Sequence, residues 1–217
     1  KIRENIIINV EGEHPLRVNR KGYTVTDDDI KKLLELIKSH IVENTLIHFG
    51  GSIPSGFTND AYVEMINELS KYAKISVDTA KLTMEDYKKM KLYLIKPNTE
   101  EVSALLGYEI ETLEEALKAS DELLPFVENV MISLGADGML IANENGKHTV
   151  KAPKVELKST VGAGDTSIAG FLFAKQQGKD DGDALKFAAA CGSESVMLEG
   201  TEAITLKQAE EVLNLIK

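Results

Sequence analysis

The middle of the chain alternates short apolar runs with longer stretches of helical spacing, and that alternation decides the fold class. Residues 45–49, 74–78, 92–95 and 130–133 have the length and apolar content of buried strands. Between them, 60–72, 81–90, 98–106 and the stretch from Thr112 to Pro125 carry helical patterns. Strands that alternate with helices pair mostly in parallel and need helices on both faces. The expected fold is therefore α/β, a mostly parallel sheet in the middle of three layers, and 217 residues suit one sizeable core. In such sheets ligands gather at the carboxyl ends of the strands. Four strand exits carry glycine or polar residues, at 50–52, 78–79, 96–98 and 133–138. On this reading all four share one rim.

The flanks add detail. Residues 5–10 and 16–18 read as a small hairpin-like element with an exposed face. Thr26 caps a helix whose Ile30, Leu33, Leu34, Ile37 and Ile41 form one apolar stripe, with Asp27, Asp28 and Asp29 at its positive end. After 133 come a glycine-containing turn, a strand at 139–142, an Asn145-Gly146 hairpin signal and a return strand at 148–152. A helix then opens near Gly162, a helix of small residues spans about 182–198, and a last helix is capped by Thr205 with Gln208 three residues on. The chain begins at Lys1, without methionine, and enters a strand-like run almost at once. The expectation is that an N-terminal segment precedes it.

Composition narrows the partners. With 35 acidic against 25 basic residues the formal net charge is −10, which offers no basic field to steer nucleic acid. No apolar run approaches the ~18 residues of a membrane span. The single cysteine, Cys191, sits in an alanine-rich run and suits a buried site in a reducing cytoplasm. The four histidines, His14, His40, His48 and His148, are scattered without ligand spacing and are assigned no role.

Four stretches carry candidate chemistry. In Ser159-Thr160-Val161-Gly162-Ala163-Gly164-Asp165, glycines open a helix, so unpartnered N–H groups and the helix dipole favour an anion beside a carboxylate. The same residues also describe an ordinary helix start. In Lys96-Pro97-Asn98-Thr99-Glu100-Glu101 a lysine can neutralise phosphate, and Asn98 and Glu101 lie one turn apart, suited to hold Mg²⁺ through its waters. That pair is also an N-cap with its third-position acid. Ser133-Leu134-Gly135-Ala136-Asp137-Gly138 can hold a ribose or phosphate by backbone contact, or simply join two strands. Gly51 and Ser52 of the 50–56 loop can meet a polar ligand, or only close the loop.

Together these motifs resemble the phosphofructokinase-B family of ribokinase-like sugar kinases. The 159–165 stretch resembles that family's C-terminal signature, Asn98 with Glu101 its Asn-x-x-Glu motif, Ser133 to Gly138 its nucleotide-binding turn, and Gly51-Ser52-Ile53-Pro54 the Gly-Ser-Leu-Pro loop of its phosphosugar branch. The resemblance implies a three-layer α/β/α fold with a small β lid over residues 1–20, a nucleotide- and substrate-binding domain over 21–217, and a missing N-terminal part. It implies ATP-dependent phosphorylation of a sugar phosphate with Mg²⁺, fructose 1-phosphate ahead of tagatose 6-phosphate or fructose 6-phosphate. Asp165 is then the base, and Gly162, Ala163 and Gly164 supply N–H groups to the phosphoryl charge. Lys96, Asn98, Ser133, Gly135, Ala136, Asp137, Gly138 and Gly192 serve the nucleotide, with Glu101 and Asn98 on the metal's waters. Arg3, ahead of Lys1, takes the substrate phosphate with Gly51 and Ser52. The resemblance further implies a homodimer through the lid. Convergence of Arg3 and Ser52 on one pocket favours a phosphosugar; divergence favours an unphosphorylated sugar or nucleoside. A third reading is an inactive nucleotide-binding fragment.

Overall fold

A computed structural model of the chain describes residues 3–8, 16–79, 81–200 and 202–216. The expected strand to Val10 lies partly, and the candidate Lys1 wholly, outside them. Strands β1 (Asn5–Ile8) and β2 (Leu16–Asn19) pair antiparallel, Ile6 opposite Val18 and Ile8 opposite Leu16. Those four apolar side chains are all exposed.

The second sheet has six strands in chain order: β3 (Leu46–Gly50), β4 (Lys74–Asp78), β5 (Leu92–Ile95), β6 (Val127–Ser133), β7 (Met139–Asn143) and β8 (Gly146–Val150). Pairing is parallel from β3 to β6 and antiparallel from β6 to β8. The sheet is thus mostly parallel, as expected. Between the parallel strands run α2 (Asn59–Leu69), α3 (Met84–Lys89), α4 (Thr99–Leu106) and α5 (Leu113–Leu123), preceded by α1 (Asp27–Ser39). α6 (Ala163–Gln176), α7 (Asp181–Ser195) and α8 (Leu206–Leu213) complete the chain.

The pleat sorts side chains onto two faces. Val130, Ile132, Leu140 and Ala142 join one buried cluster, with Val63 and Ile66 of α2 and Ala116 and Ala119 of α5. Met131, Met139 and Ile141 join the other, with Ile168 and Phe171 of α6 and Ala184 and Ala188 of α7. Helices therefore cover both faces, giving the three-layer α/β fold.

Caps fix most helix starts. Thr26, Thr83, Asn98, Thr112 and Thr205 each form a reciprocal capping box with the acid or glutamine three residues on. β6 begins three residues before the expected 130. Glu128 and Asn129 interrupt the apolar run, but Asn129 donates to Tyr93 O at 2.8 Å and accepts from Asn143 Nδ2 at 2.9 Å. Asn143 Nδ2 also donates to Asp181 Oδ2 at 2.8 Å, and Lys175 Nζ lies 2.8 Å from Asp181 Oδ1. That chain of polar contacts ties β5, β6 and β7 to both α6 and α7. It satisfies groups whose burial alone would be costly. Cys191 is buried and its thiol pKa is pushed up to about 11 by burial, so it packs rather than reacts. Among the described residues no helix is long and apolar enough to cross a membrane.

Candidate active site

Parallel pairing brings the four strand exits to one rim. Gly50 lies opposite Asp78, Val77 opposite Ile95, and Asn98 forms a parallel bridge with Ser133. Ser133 N donates to Pro97 O at 3.1 Å and Gly51 N to Asp78 O at 3.1 Å, so the loops are joined backbone to backbone.

Above this rim stands the start of α6. Gly162 is its N-cap with φ 81°, a left-handed conformation that glycine adopts without steric cost. No side chain caps this end. Thr166, whose N–H is the first to close on Gly162 O, turns its hydroxyl back to that same oxygen at 2.8 Å. The N–H groups of Ala163, Gly164 and Asp165 precede that first helical bond and face outward. Lys96, buried at the end of β5, reaches the same place. A β-carbon on Gly164 would stand 3.0 Å from its Nζ. Its counter-charge is Asp78, 3.5 Å away. Helix terminus and ammonium thus put positive charge at one point, and Asp165 is exposed beside it. The arrangement can bind a phosphoryl group and set a carboxylate next to it.

Asn98 and Glu101 are engaged with each other. Asn98 Oδ1 accepts from Glu101 N at 2.8 Å, and Glu101 Oε2 accepts from Asn98 N at 2.9 Å. The capping alternative is realised, and it spares Glu101 Oε1. One carboxylate with one amide fits Mg²⁺ that keeps its waters, and among the described residues no three acidic, histidine or cysteine side chains are grouped so as to hold a metal ion directly. Asp78, Thr79, Lys81 and Glu101 line a cleft of about 420 Å³ here.

The Ser133 turn closes as a short 3₁₀ segment, Gly135–Asp137, with Gly135, Ala136 and Asp137 exposed. Gly138 is buried beneath residues 150–152. Gly192 lies in the contact between α7 and α6, where a β-carbon would meet Ser167 Oγ at 2.2 Å. Its place is behind the start of α6, buried against it. Arg3 Nη1 donates to Ser52 Oγ, so the predicted phosphate cation and the loop serine converge.

Sequence reading passed over His48. It sits in β3, half-buried, and Asp165 and Asp78 both act on its charge. A histidine inside an otherwise apolar strand was the available signal. A groove of about 1060 Å³ lies at the other end of the strands, by Thr45, Lys74 and Glu128, away from all of these groups.

The start of α6, with no side chain capping it, thus stands at the carboxyl ends of a three-layer α/β sheet, where such folds gather their ligands. Residues 6–208 match the model of the pfkB family carbohydrate kinases, and the chain belongs to that family. It is 32% identical over 200 residues to 1-phosphofructokinase of Bacillus subtilis, covering 90% of this chain and 65% of that protein. With the 1-phosphofructokinase of Borreliella burgdorferi it shares 30% over 182 residues, 83% of this chain and 59% of the relative. The chain thus spans roughly three fifths of the length of these curated relatives. Its fold matches phosphofructokinase-2 from Escherichia coli in complex with substrates and products, with a TM-score of 0.86 at 24% identity over 97% of this chain and 69% of that one.

Proposed function

We propose that the chain is the nucleotide-binding and catalytic part of a phosphosugar kinase, transferring the terminal phosphoryl group of ATP to a hydroxyl of a sugar phosphate, with fructose 1-phosphate favoured. The observation that carries this reading is the meeting of Arg3 with Ser52, two residues past Gly50, where a β-carbon would stand 3.8 Å from Asp165 Oδ1. A guanidinium there offers a bidentate partner to a substrate phosphate. An unphosphorylated sugar has no use for it. Relatives named 1-phosphofructokinase support the choice of substrate.

In this reading Asp165 accepts the proton of the sugar hydroxyl as its oxygen bonds to phosphorus and the bond to ADP breaks; the proton then passes to solvent. Phosphoryl transfer needs mainly positioning and charge stabilisation, so a carboxylate suffices as acceptor. The N–H groups at the start of α6, with Lys96, hold the transferring group. Ser133 to Gly138 hold the nucleotide, with Gly192 supporting the wall behind. Mg²⁺, held through its waters by Glu101 and Asn98, would neutralise charge on the phosphates. Residues 1–20 form a lid element and 21–217 the main domain. The exposed face of Ile6, Ile8, Leu16 and Val18 is covered by a second copy, and sedimentation of the intact protein at micromolar concentration tests this, a monomer removing it.

The substrate is tested by coupled ADP release from the intact protein on fructose 1-phosphate, tagatose 6-phosphate, fructose 6-phosphate and fructose. Activity is expected on the phosphorylated sugars only. Arg3→Ala is expected to raise the KM for the best of them by about 10- to 100-fold, the loss of one charged hydrogen bond, with the KM for ATP unchanged. A preference for fructose, or an unchanged sugar KM in Arg3→Ala, would overturn the assignment.

A further inference from the structure

His48 is a buried-strand imidazole with one nitrogen committed and the other open. Its Nδ1 lies 3.1 Å from Ser76 Oγ, one strand over on β4. Ser76 is fully buried, and among the described residues His48 is the one hydrogen-bond partner of its hydroxyl. A buried hydroxyl proton left without an acceptor is costly, so the Ser76 O–H donates and Nδ1 accepts. The proton of the neutral ring then sits on Nε2.

That Nε2 is buried and has no hydrogen-bond partner among the described residues. Its surroundings are defined by Gly50. A β-carbon there would stand 2.8 Å from His48 Nε2 and 3.8 Å from Asp165 Oδ1, so the two atoms flank one small space that glycine leaves open. Both residues also line a cleft of about 300 Å³ with Leu46, Ile168 and Ala169. The imidazole is fixed by its strand and by Ser76, whereas Asp165 is exposed and free to turn. The charged groups facing the ring are Asp78 from β4, Asp165 from α6 and Lys96 from the end of β5. Burial lowers the imidazole pKa, the two carboxylates draw it back up, and Lys96 lowers it again, for a net depression. With its pKa below the ordinary ~6.5, the ring is neutral at pH 7 and charges only in acid.

We infer that His48 is a positioning residue for Asp165: anchored to Ser76 through Nδ1, it offers an Nε2–H to the Asp165 carboxylate and holds that carboxylate aimed into the cleft. This rests on the proposed role of Asp165 as base.

Two measurements on the intact protein test it. Imidazole nitrogen NMR should find neutral His48 protonated at Nε2, and its pKa should fall when Asp165→Asn removes the neighbouring negative charge. An Nδ1–H ring, or a titration indifferent to Asp165→Asn, overturns the contact whether or not Asp165 is the base. In kinetics, His48→Leu should lower kcat about tenfold with both KM values within about twofold. His48→Gln, which keeps an N–H at similar reach, should stay within about threefold of the parent. An unchanged kcat in His48→Leu, or equal loss in both variants, overturns the proposal. Should His48→Leu not fold, Ser76→Ala serves: freeing Nδ1 mixes the tautomers, and a kcat and NMR spectrum like the parent's overturn it equally. If Asp165→Asn stays active while the NMR coupling persists, the catalytic reading fails and the His48 contact stands.

Discussion

Asp165→Asn in the intact protein is expected to lower kcat by about 100-fold or more, the usual worth of a positioned general base, while calorimetry still reports ATP binding. The substitution keeps the shape of the side chain and its place in the first turn of α6. It removes the proton acceptor and nothing that holds the nucleotide. The N–H groups of Ala163 and Gly164 and the buried Lys96 remain to bind phosphate. Lost nucleotide affinity together with lost turnover would point to a collapsed helix start; near-normal turnover would sink the assignment of Asp165.

Gly138→Ala is expected to cost about 2–5 kcal/mol of stability, read as a lower denaturation midpoint, and to weaken ATP binding with it. Gly138 has φ 108° and ψ −140°, a region that side chains avoid. Its β-carbon would also fall 1.9 Å from Val150 O and 2.8 Å from Lys151 Cα, both backbone atoms that cannot swing aside. Strain and overlap therefore add. The turn from Ser133 is expected to open away from β8, carrying Gly135, Ala136 and Asp137 with it. A variant as stable as the parent would mean that the turn has another conformation within reach.

Much of the fold was legible because its signals are local. Thr26, Asn98, Thr112 and Thr205 announce their helices through side chains three residues apart, and each of these caps is present. The parallel strands were visible as apolar runs. The start of β6 was not, since Glu128 and Asn129 look like loop residues until Tyr93 and Asn143 supply the partners of Asn129. The small-residue helix ends at Ser195 rather than near 198. The candidate site divides the same way. Gly162 to Asp165, Asn98 with Glu101, and the Ser133 turn are each written in a few consecutive residues. The pairing of Lys96 with Asp78, the anchoring of His48 on Ser76 and the approach of His48 to Asp165 depend on strand pairing and helix packing between distant segments. Neither spacing nor periodicity encodes those meetings. The contact of Gly192 with Ser167, behind the helix start, is another such meeting.

The close contact of α6 with α7 has a consequence for where harmful variation should fall. Gly170 faces Cys191, Gly192 faces Ser167, and Thr166 Oγ1 lies 3.4 Å from Ser195 Oγ, so little more than backbone separates the two helices. The spacing of a backbone-to-backbone seam has no soft side chains to absorb an added methyl group. An enlargement along it is expected to displace α6, and with it the amides of Ala163, Gly164 and Asp165. A census of inactive variants should therefore show a second hot zone along α7, remote in sequence from Gly162 and Gly164.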